Sequence, residues 1–363
     1  MKKLLFTTLS IFCFSFVSKA QDLETILLAK DDAEKLTNAY LQPAFKGLIY
    51  SMNNGWYHTA KVHKKFGFDI TIGASASIIP EKDEIFNLAS LGLSGNISPQ
   101  SGTSPTIGGS SDDGLEITYT EEVTAADLPD GVDTSLIPAN TSYTYSTSFE
   151  LPGGVKDDLP LNAVPAPSIQ VGLGLPYKFE VIGRFSPEVG SDDVKGKLFG
   201  LGVKKEITSI FGPMEKTPLH ISLLAAFTNM SVDYNMGSGD IENQISYSNA
   251  AAEFELKSYT VQAIASLNFP FINFYGGIGY NGGKTTLNML GDYTLSYELE
   301  YNGVPSGIYV NEQLSDPFSF ESSVSGVNAT IGTRLSLGFF KIFASYTMQE
   351  YNSINGGIAI SIR

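Results

Sequence analysis

The stretch Phe66-Gly-Phe-Asp-Ile-Thr-Ile-Gly-Ala-Ser-Ala-Ser-Ile78 alternates apolar residues with polar or small residues. Because successive side chains of a β-strand point to opposite faces, one face of this segment is apolar and the other is polar. The segment is long enough to cross a bilayer at a tilt, which takes about 9–11 residues. A strand that is apolar outside and polar inside is typical of a transmembrane β-barrel.

The same alternation returns later in the chain, at residues 169–175, 177–186, 219–227, 261–269, 327–337 and 358–362. Segments 84–93, 115–122 and 143–151 alternate less strictly and are plausible further strands. Clear strands give a minimum of about ten, and the plausible ones raise the number. The pattern predicts an all-β fold, a transmembrane antiparallel β-barrel of about 12–14 strands with a short N-terminal helical plug.

The connections between these strands alternate in length. Short joints are expected at Pro176, at Gly212-Pro213, at Pro270 and at 339–341. Longer polar connections are expected at 188–195, 234–250, 284–318 and 350–355. Tight turns on the periplasmic side and long loops outside are typical of outer-membrane barrels.

The N-terminus has the three parts of a secretory signal peptide. Lys2 and Lys3 precede an apolar run, and Ser18-Lys19-Ala20 places small residues before a predicted cleavage after Ala20. We therefore expect residues 1–20 to be a signal peptide, residues 21–64 a helical hatch, and residues 65–363 the barrel. An irregular, loop-rich insertion is expected at about 95–142. The predicted location is the outer membrane.

Composition excludes several classes of function. The single cysteine, Cys13, lies in the signal peptide, so thiolate chemistry is excluded from the mature chain. Loss of Lys2, Lys3 and Lys19, with no acid in residues 1–20, takes the formal charge from −15 to −18. So acidic a chain repels phosphate backbones, and nucleic acid is not an expected partner.

The sequence has three histidines, His58, His63 and His220, around which a catalytic or metal-binding motif could form. The spacing of His58 and His63 does not match a zinc-binding helix, and no Gly-x-Ser-x-Gly motif is present. Ser222 lies two residues after His220, which raises a hydrolase as a distant alternative. The sequence predicts neither an enzyme nor a cofactor nor a metal site.

Several charged residues fall on the predicted lumenal face, where charge costs less than towards lipid. They are Asp69, Lys178, Glu180, Arg184, Lys204, Glu206, Arg334 and Lys341. Two interpretations are open. These residues form a polar channel or a latch for the N-terminal segment, or they form a salt-bridge network that fills a narrow barrel.

The run Tyr40-Leu-Gln-Pro-Ala-Phe-Lys-Gly-Leu-Ile-Tyr-Ser-Met-Asn-Asn-Gly-Trp-Tyr57, followed by a first strand, resembles the hatch of FadL-type long-chain fatty-acid transporters. The segments 164–176 and 201–207 are similar to outer-membrane barrels of Bacteroidota. The transporter resemblance implies a fourteen-strand barrel, a plugged lumen and the passage of hydrophobic molecules. The corresponding ligand-path residues are Leu41, Phe45, Leu48, Ile49, Trp56 and Tyr57.

Two functions follow as hypotheses. The first is passive uptake of a hydrophobic or amphipathic small molecule past the hatch. The second is a non-transporting scaffold that holds partner proteins. Outer-membrane lipid and lipopolysaccharide are expected partners in either case. An apolar pocket between hatch and wall would favour uptake, and a lumen filled with side chains would favour the scaffold.

Overall fold

The computed structural model describes residues 27, 29–112, 114–124, 141–190, 193–241 and 245–362. The expected signal peptide lies outside the described residues. Within these ranges, no helix is both long enough and apolar enough to cross a bilayer.

A helix and sixteen strands make up the regular structure of the described residues. The helix α1 spans Lys30–Asn53. The strands are β1 (Phe68–Ile78), β2 (Ile85–Asn87), β3 (Ile97–Ser98), β4 (Thr103–Pro105), β5 (Glu116–Thr124), β6 (Ser142–Glu150), β7 (Ala163–Leu175), β8 (Phe179–Gly190), β9 (Val194–Glu206), β10 (Leu219–Ile241), β11 (Ile245–Asn268), β12 (Ile272–Tyr301), β13 (Val304–Ser315), β14 (Phe318–Leu337), β15 (Phe340–Met348) and β16 (Ser353–Ile362).

The large sheet closes into a ring. Strands β7 to β12 pair in sequence order, and β12 pairs with β14. Then β14 pairs with β15, β15 with β16, β16 with β1, and β1 with β7, which closes the ring. The whole sheet contains 14 strands, within the range expected from the sequence. Ten of them form the ring, because β3, β5, β6 and β13 join the sheet beyond it. The fourteen-strand ring implied by the transporter resemblance is therefore wrong.

The strand faces follow the alternation read from the sequence. On β1, the outward Ile72 is 47% exposed and the inward Thr71 is 2% exposed. An exposed isoleucine beside a buried threonine inverts the order of a soluble protein, as a lipid-facing wall requires. The prediction of a transmembrane antiparallel barrel is confirmed.

The lipid-facing band has clear edges. On β10 the outward residues are apolar up to Phe227 and then change to Asn229 and Asp233. On β11 the same change falls between Tyr259 and Lys257. About nine residues per strand lie in the band, which suits an apolar belt about 25 Å tall.

Exposed aromatic residues line both edges of the band. At the short-turn end they are Phe66, Tyr177, Phe179, Phe269, Phe271 and Phe339. At the opposite edge they are Phe185, Phe199, Phe227, Tyr259 and Tyr280. Two such girdles mark the two membrane–water interfaces of an outer-membrane barrel.

Beyond the upper girdle, the strands continue instead of turning into loops. Segments 234–250 and 284–318, expected as polar connections, belong largely to β10–β14 and extend the ladder away from the membrane. The polar residues of these segments led to the prediction of loops. A sheet outside lipid also carries polar side chains on its outer face, so polarity does not exclude strands there. The joint at Gly212-Pro213 is also longer than expected and includes a 3-10 segment, Thr208–Lys216.

The described residues between β1 and β7 fold over the far end of the barrel. The expected loop-rich insertion at about 95–142 contains β3, β4 and β5, and β6 begins at its end. Leu88, Ile97, Ile117 and Phe149 from this region join a buried apolar cluster with the upper parts of β11 and β12. The region is therefore a packed cap that shares a core with the extended strands.

Helix α1 continues through Pro43. A proline inside a helix removes the hydrogen bond to the carbonyl four residues earlier, here that of Ala39. The neighbouring carbonyl of Tyr40 accepts a hydrogen bond from the Ile107 N–H at 3.0 Å. This contact joins the helix to the cap.

Candidate functional site

Helix α1 lies inside the ring and spans its height. Leu27 and Leu36, at the beginning, pack in the cluster under the cap. Residues Tyr40 to Met52 pack in a second buried cluster with the inner wall. Trp56 and Tyr57 then join Leu224 and Ile264 near the short turns. A helix of 24 residues is about 36 Å long, which matches this path from one end of the barrel to the other.

Glycines let the wall and this inner segment approach each other. A Cβ on Gly200 would lie 2.9 Å from Cη2 of Trp56, and one on Gly202 would lie 3.1 Å from its Cε3. A Cβ on Gly283 would lie 2.7 Å from Cγ2 of Ile49. Glycine in a strand interior marks such close approach of another segment. In the sequence, the run Gly276-Gly-Ile-Gly-Tyr-Asn-Gly-Gly283 is a signal for such close approach.

Arg184 holds the C-terminal end of α1. Its Nη1 donates to the Met52 carbonyl at 2.7 Å, and its Nη2 donates to the Asn54 carbonyl at 2.9 Å. The guanidinium also lies 4.1 Å from the centroid of the Trp56 ring. The last carbonyls of a helix lack partners within it and carry partial negative charge, so a cation there is favoured. Arg184, expected among the lumenal charges, therefore anchors the inner segment.

His58 lies between an acid and a base at the bottom of the lumen. Nη1 of Arg334 is 3.0 Å from Nδ1 of His58, and Oδ2 of Asp69 is 3.1 Å from Nε2. Because a guanidinium only donates, Nδ1 accepts, and Nε2 carries the proton that it donates to Asp69. Burial lowers the pKa of His58 from its usual 6.5, against the opposing effect of Asp69. The geometry and the pKa direction both make this imidazole neutral at pH 7.

Glu180 receives three groups from the inner segment and the wall. Lys204 lies 2.7 Å from its Oε1, and both the backbone N–H and Nδ1 of His63 lie 2.9 Å from its Oε2. Glu180 and Lys204 are each 3% exposed at the side chain. Buried charges of opposite sign that are also hydrogen-bonded satisfy one another at this depth.

Glu206 forms the third carboxylate contact at this end. Its Oε1 is 3.0 Å from Nδ1 of His220, and its Oε2 accepts from the Val62 N–H at 3.2 Å. Lys178 lies in the β7–β8 turn, half-exposed, 4.0 Å from Glu206, so it stands at the rim instead of inside the lumen.

The Ser222 hydroxyl donates to the Ala60 carbonyl at 2.5 Å, so it does not donate to His220. Within the described residues, no group of His, Cys, Asp and Glu side chains is arranged to hold a metal ion.

Together, these charged residues form a latch around residues 52–63. Seven of the eight charges expected in the lumen contact that segment directly or through one neighbour, and the eighth, Lys341, donates to the Gly338 carbonyl. Five of them, Asp69, Glu180, Arg184, Lys204 and Glu206, are buried. The latch and the network that fills a narrow barrel were expected as alternatives. In the structure, the same residues hold the N-terminal segment and also fill this end of the lumen.

The expected ligand-path residues are brought to one side of α1. Leu41, Phe45, Leu48 and Ile49 share a buried cluster with wall residues of β7, β9, β10 and β11. The rings of Phe45 and Phe254 lie 5.6 Å apart. Tyr57 instead lies lower and donates its hydroxyl proton to Gln262 at 3.0 Å. The helix–wall boundary is therefore apolar above Trp56 and polar below it.

The wall has an unpaired seam beside that apolar cluster. The ladder between β7 and β8 ends at the pair Gln170 and Arg184, although both strands continue. Above this pair, β7 pairs with β1 and β8 pairs with β9. Pro165 and Pro167 lie in the part of β7 that pairs with β1 but not with β8, and proline is confined to strand edges because it lacks an N–H. These prolines were a signal for the seam in the sequence.

A groove of about 770 Å³ indents the outer wall on β1, β14, β15 and β16. Small residues in adjacent positions, Ala74, Gly356 and Ala344, form part of its floor. It faces the lipid band, so it differs from the pocket between hatch and wall that was considered from the sequence.

A closed ring, an apolar belt between two aromatic girdles and a lumen occupied by a helix define an outer-membrane β-barrel with an internal plug. The chain belongs to the family described as "Family of unknown function (DUF6588)", whose model matches residues 1–362.

Comparison with solved structures finds other outer-membrane β-barrels. Ail, the attachment invasion locus protein of Yersinia pestis, is 10% identical, with 82% of this chain and 100% of Ail covered and a TM-score of 0.25. The ferric-catecholate import receptor Fiu from E. coli K12 is 10% identical, with coverage of 79% and 55% and a TM-score of 0.27. The translocator domain of autotransporter NalP from Neisseria meningitidis is 12% identical, with coverage of 83% and 90% and a TM-score of 0.23. The curated proteins give no match.

Proposed function

We propose that this barrel passes a hydrophobic or amphipathic small molecule between its interior and the membrane, beside the inner helix. The observation that carries the proposal is the seam between β7 and β8 above Gln170 and Arg184. A continuous ladder closes a wall, whereas two strands without hydrogen bonds between them separate at lower cost.

The inner side of the seam suits an apolar ligand. Val164 and Ala166 of β7 and Leu198 of β9 lie in the same buried cluster as Phe45 and Leu48. A hydrophobic molecule that displaced part of this cluster would exchange one apolar contact for another. The ligand-path residues expected from the transporter resemblance thus stand beside the seam.

The closed state is held by the latch below. Arg184 is the last residue of β8 that pairs with β7 before the seam, and it also binds the end of α1. A ligand can open such a gate only if it binds the open and closed states with different affinity. Release of Arg184 from Met52 and Asn54 would loosen the helix end and the seam together.

The test is a disulfide across the seam. Extrapolation of the β7–β8 register beyond Gln170 and Arg184 would bring Ser168 opposite Ser186, and the mature chain has no cysteine to interfere. In cells or proteoliposomes, the oxidised Ser168→Cys/Ser186→Cys variant should take up less of a fluorescent fatty acid, and reductant should restore uptake. The control is Thr118→Cys/Ser148→Cys, a facing pair outside the membrane whose hydroxyl oxygens lie 2.9 Å apart. Normal uptake by a fully cross-linked seam variant would rule out this path.

A second candidate function is a surface scaffold. The observation that favours it is the folded region beyond the upper girdle, where the cap and the extended strands share a buried core. A barrel that only passes a small molecule needs no folded region outside the membrane. If the seam disulfide leaves uptake unchanged and replacement of residues 292–315 by a short turn abolishes a surface phenotype without loss of insertion, the scaffold is the better description.

A further inference from the structure

The short-turn end of this acidic protein is basic. The connections at this end are residues 54–67, 176–178, 207–218, 269–271 and 338–339. They contain Lys61, Lys64, Lys65, Lys178 and Lys216, against a single acid, Glu215. The whole chain has 23 basic and 38 acidic residues, so this end reverses the balance of the molecule.

Burial of the nearby acids sharpens the difference. Asp69, Glu180 and Glu206 lie at this end of their strands but face the lumen, with exposures of 6%, 3% and 6%. These three carboxylates interact with other residues of the latch. Lys61, Lys64 and Lys65 are exposed at the surface. Inside the lumen these acids are balanced by Arg184, Lys204 and Arg334, whereas the exposed charge at the rim is positive.

These lysines lie at the depth of the lower aromatic girdle. Nζ of Lys65 lies 5.2 Å from the ring centroid of Phe66, and Nζ of Lys205 lies 4.2 Å from that of Phe179. Lys341 is two residues from Phe339 and donates to the Gly338 carbonyl at 2.5 Å. Aromatic girdles lie at the level of the lipid headgroups, and long lysine side chains extend to the same level.

The strands that contribute these lysines are neighbours. Lys341 is on β15, Lys64 and Lys65 precede β1, Lys178 joins β7 to β8, and Lys205 is on β9. In the ring, β15, β16, β1, β7, β8 and β9 are consecutive. The basic residues thus follow one continuous arc of the rim.

We propose that this arc binds the phosphate headgroups of anionic phospholipids in the leaflet at the short-turn end. A basic residue near an anionic membrane surface contributes attraction, and the aromatic neighbours hold the lysines at phosphate depth. A soluble acidic protein would need no aromatic rings beside Lys65 and Lys205, so the lipid surface is the favoured occupant.

The experiment compares lipid retention by three forms of the full-length mature protein. Each is reconstituted in nanodiscs of equal parts phosphatidylglycerol and phosphatidylcholine, released into mild detergent and analysed by native mass spectrometry. The rim variant is Lys64→Gln/Lys65→Gln/Lys205→Gln. The matched control is Lys195→Gln/Lys257→Gln/Lys284→Gln, which removes the same charge from exposed positions beyond the upper girdle.

We expect wild type and the control variant to retain phosphatidylglycerol in preference to phosphatidylcholine. The rim variant should lose that preference by about tenfold. Heat-modifiable migration on gels checks that each variant is folded, and the single variants Lys64→Gln and Lys65→Gln replace the triple if it does not insert.

Several results would overturn the proposal. Wild type without preference for phosphatidylglycerol would do so, as would equal loss in the rim and control variants. Displacement of the retained lipid by millimolar inorganic phosphate would indicate a simple anion site. Lysine-dependent binding of polyglutamate without enrichment of phosphatidylglycerol would indicate an acidic protein partner instead.

Discussion

Replacement of Arg184 tests whether the inner segment is held by its C-terminal end. The variant Arg184→Met keeps much of the aliphatic volume but removes the donors to the Met52 and Asn54 carbonyls. Each buried carbonyl left without a donor costs about 1–3 kcal/mol. The lost contact with the Trp56 ring adds about 1–2 kcal/mol.

Removal of a buried cation also returns its desolvation cost, which offsets part of this loss. We therefore expect a net loss of about 3 kcal/mol in the free energy that docks the segment, or roughly a hundredfold in the docked-to-undocked ratio. The barrel ladder should change little, because Arg184 contacts the segment through its side chain only.

The assay uses the protein's single tryptophan. Trp56 is 2% exposed when docked, so its emission reports release of the segment into water. Urea titrations of folded protein in detergent would follow Trp56 emission, and gel migration would follow the barrel. We expect the emission transition of Arg184→Met to move to lower urea while the migration transition stays in place.

The variant Arg184→Lys provides the comparison. Lysine keeps the charge but does not present two fixed donors, so it should fall between wild type and methionine. Identical emission transitions for wild type and Arg184→Met would refute the anchoring role. Parallel shifts of both transitions would mean that Arg184 stabilises the whole barrel.

Three further predictions follow from the geometry. Ile72→Arg should cost about 2–4 kcal/mol near the middle of the lipid band and reduce insertion, measured as the heat-modifiable fraction after refolding into liposomes. Gly202→Val should clash with Trp56 and cost about 1–3 kcal/mol in the emission transition, whereas Gly183→Ala, with open space around it, should not. His58 has a lowered pKa in the docked state, so the released segment binds more protons below pH 6.5. Docking stability should therefore fall as the pH is lowered from 7.5 to 5.5, and His58→Phe should remove that difference.

Much of the barrel was readable from the chain because lipid imposes a simple rule. An apolar residue at every second position, as in 66–78, is required wherever a strand has bilayer on one side. The position of each inward or outward residue then follows from parity. The same rule does not apply above the upper girdle, where segments 234–250 and 284–318 are paired strands with polar outer faces.

The inner segment was foreseen only in outline. A helical hatch was expected at residues 21–64, and α1 spans Lys30–Asn53 within it. The hydrogen bond from the Ile107 N–H to the Tyr40 carbonyl joins this helix to a residue more than sixty positions away, a contact that local propensity does not contain. The positions of Leu41, Phe45 and Leu48 beside the seam likewise depend on the ring as a whole.

The sequence by itself determined the strand periodicity, the lipid-facing residues and most of the lumenal charges, because each depends on local alternation in a known solvent. Only the tertiary structure decided which charges meet. Arg184 lies far in sequence from Met52 and Asn54, and Glu180 lies far from His63. Ring closure sets these pairs, since it brings distant residues of ten strands and one helix into a single lumen, where a buried charge needs a partner.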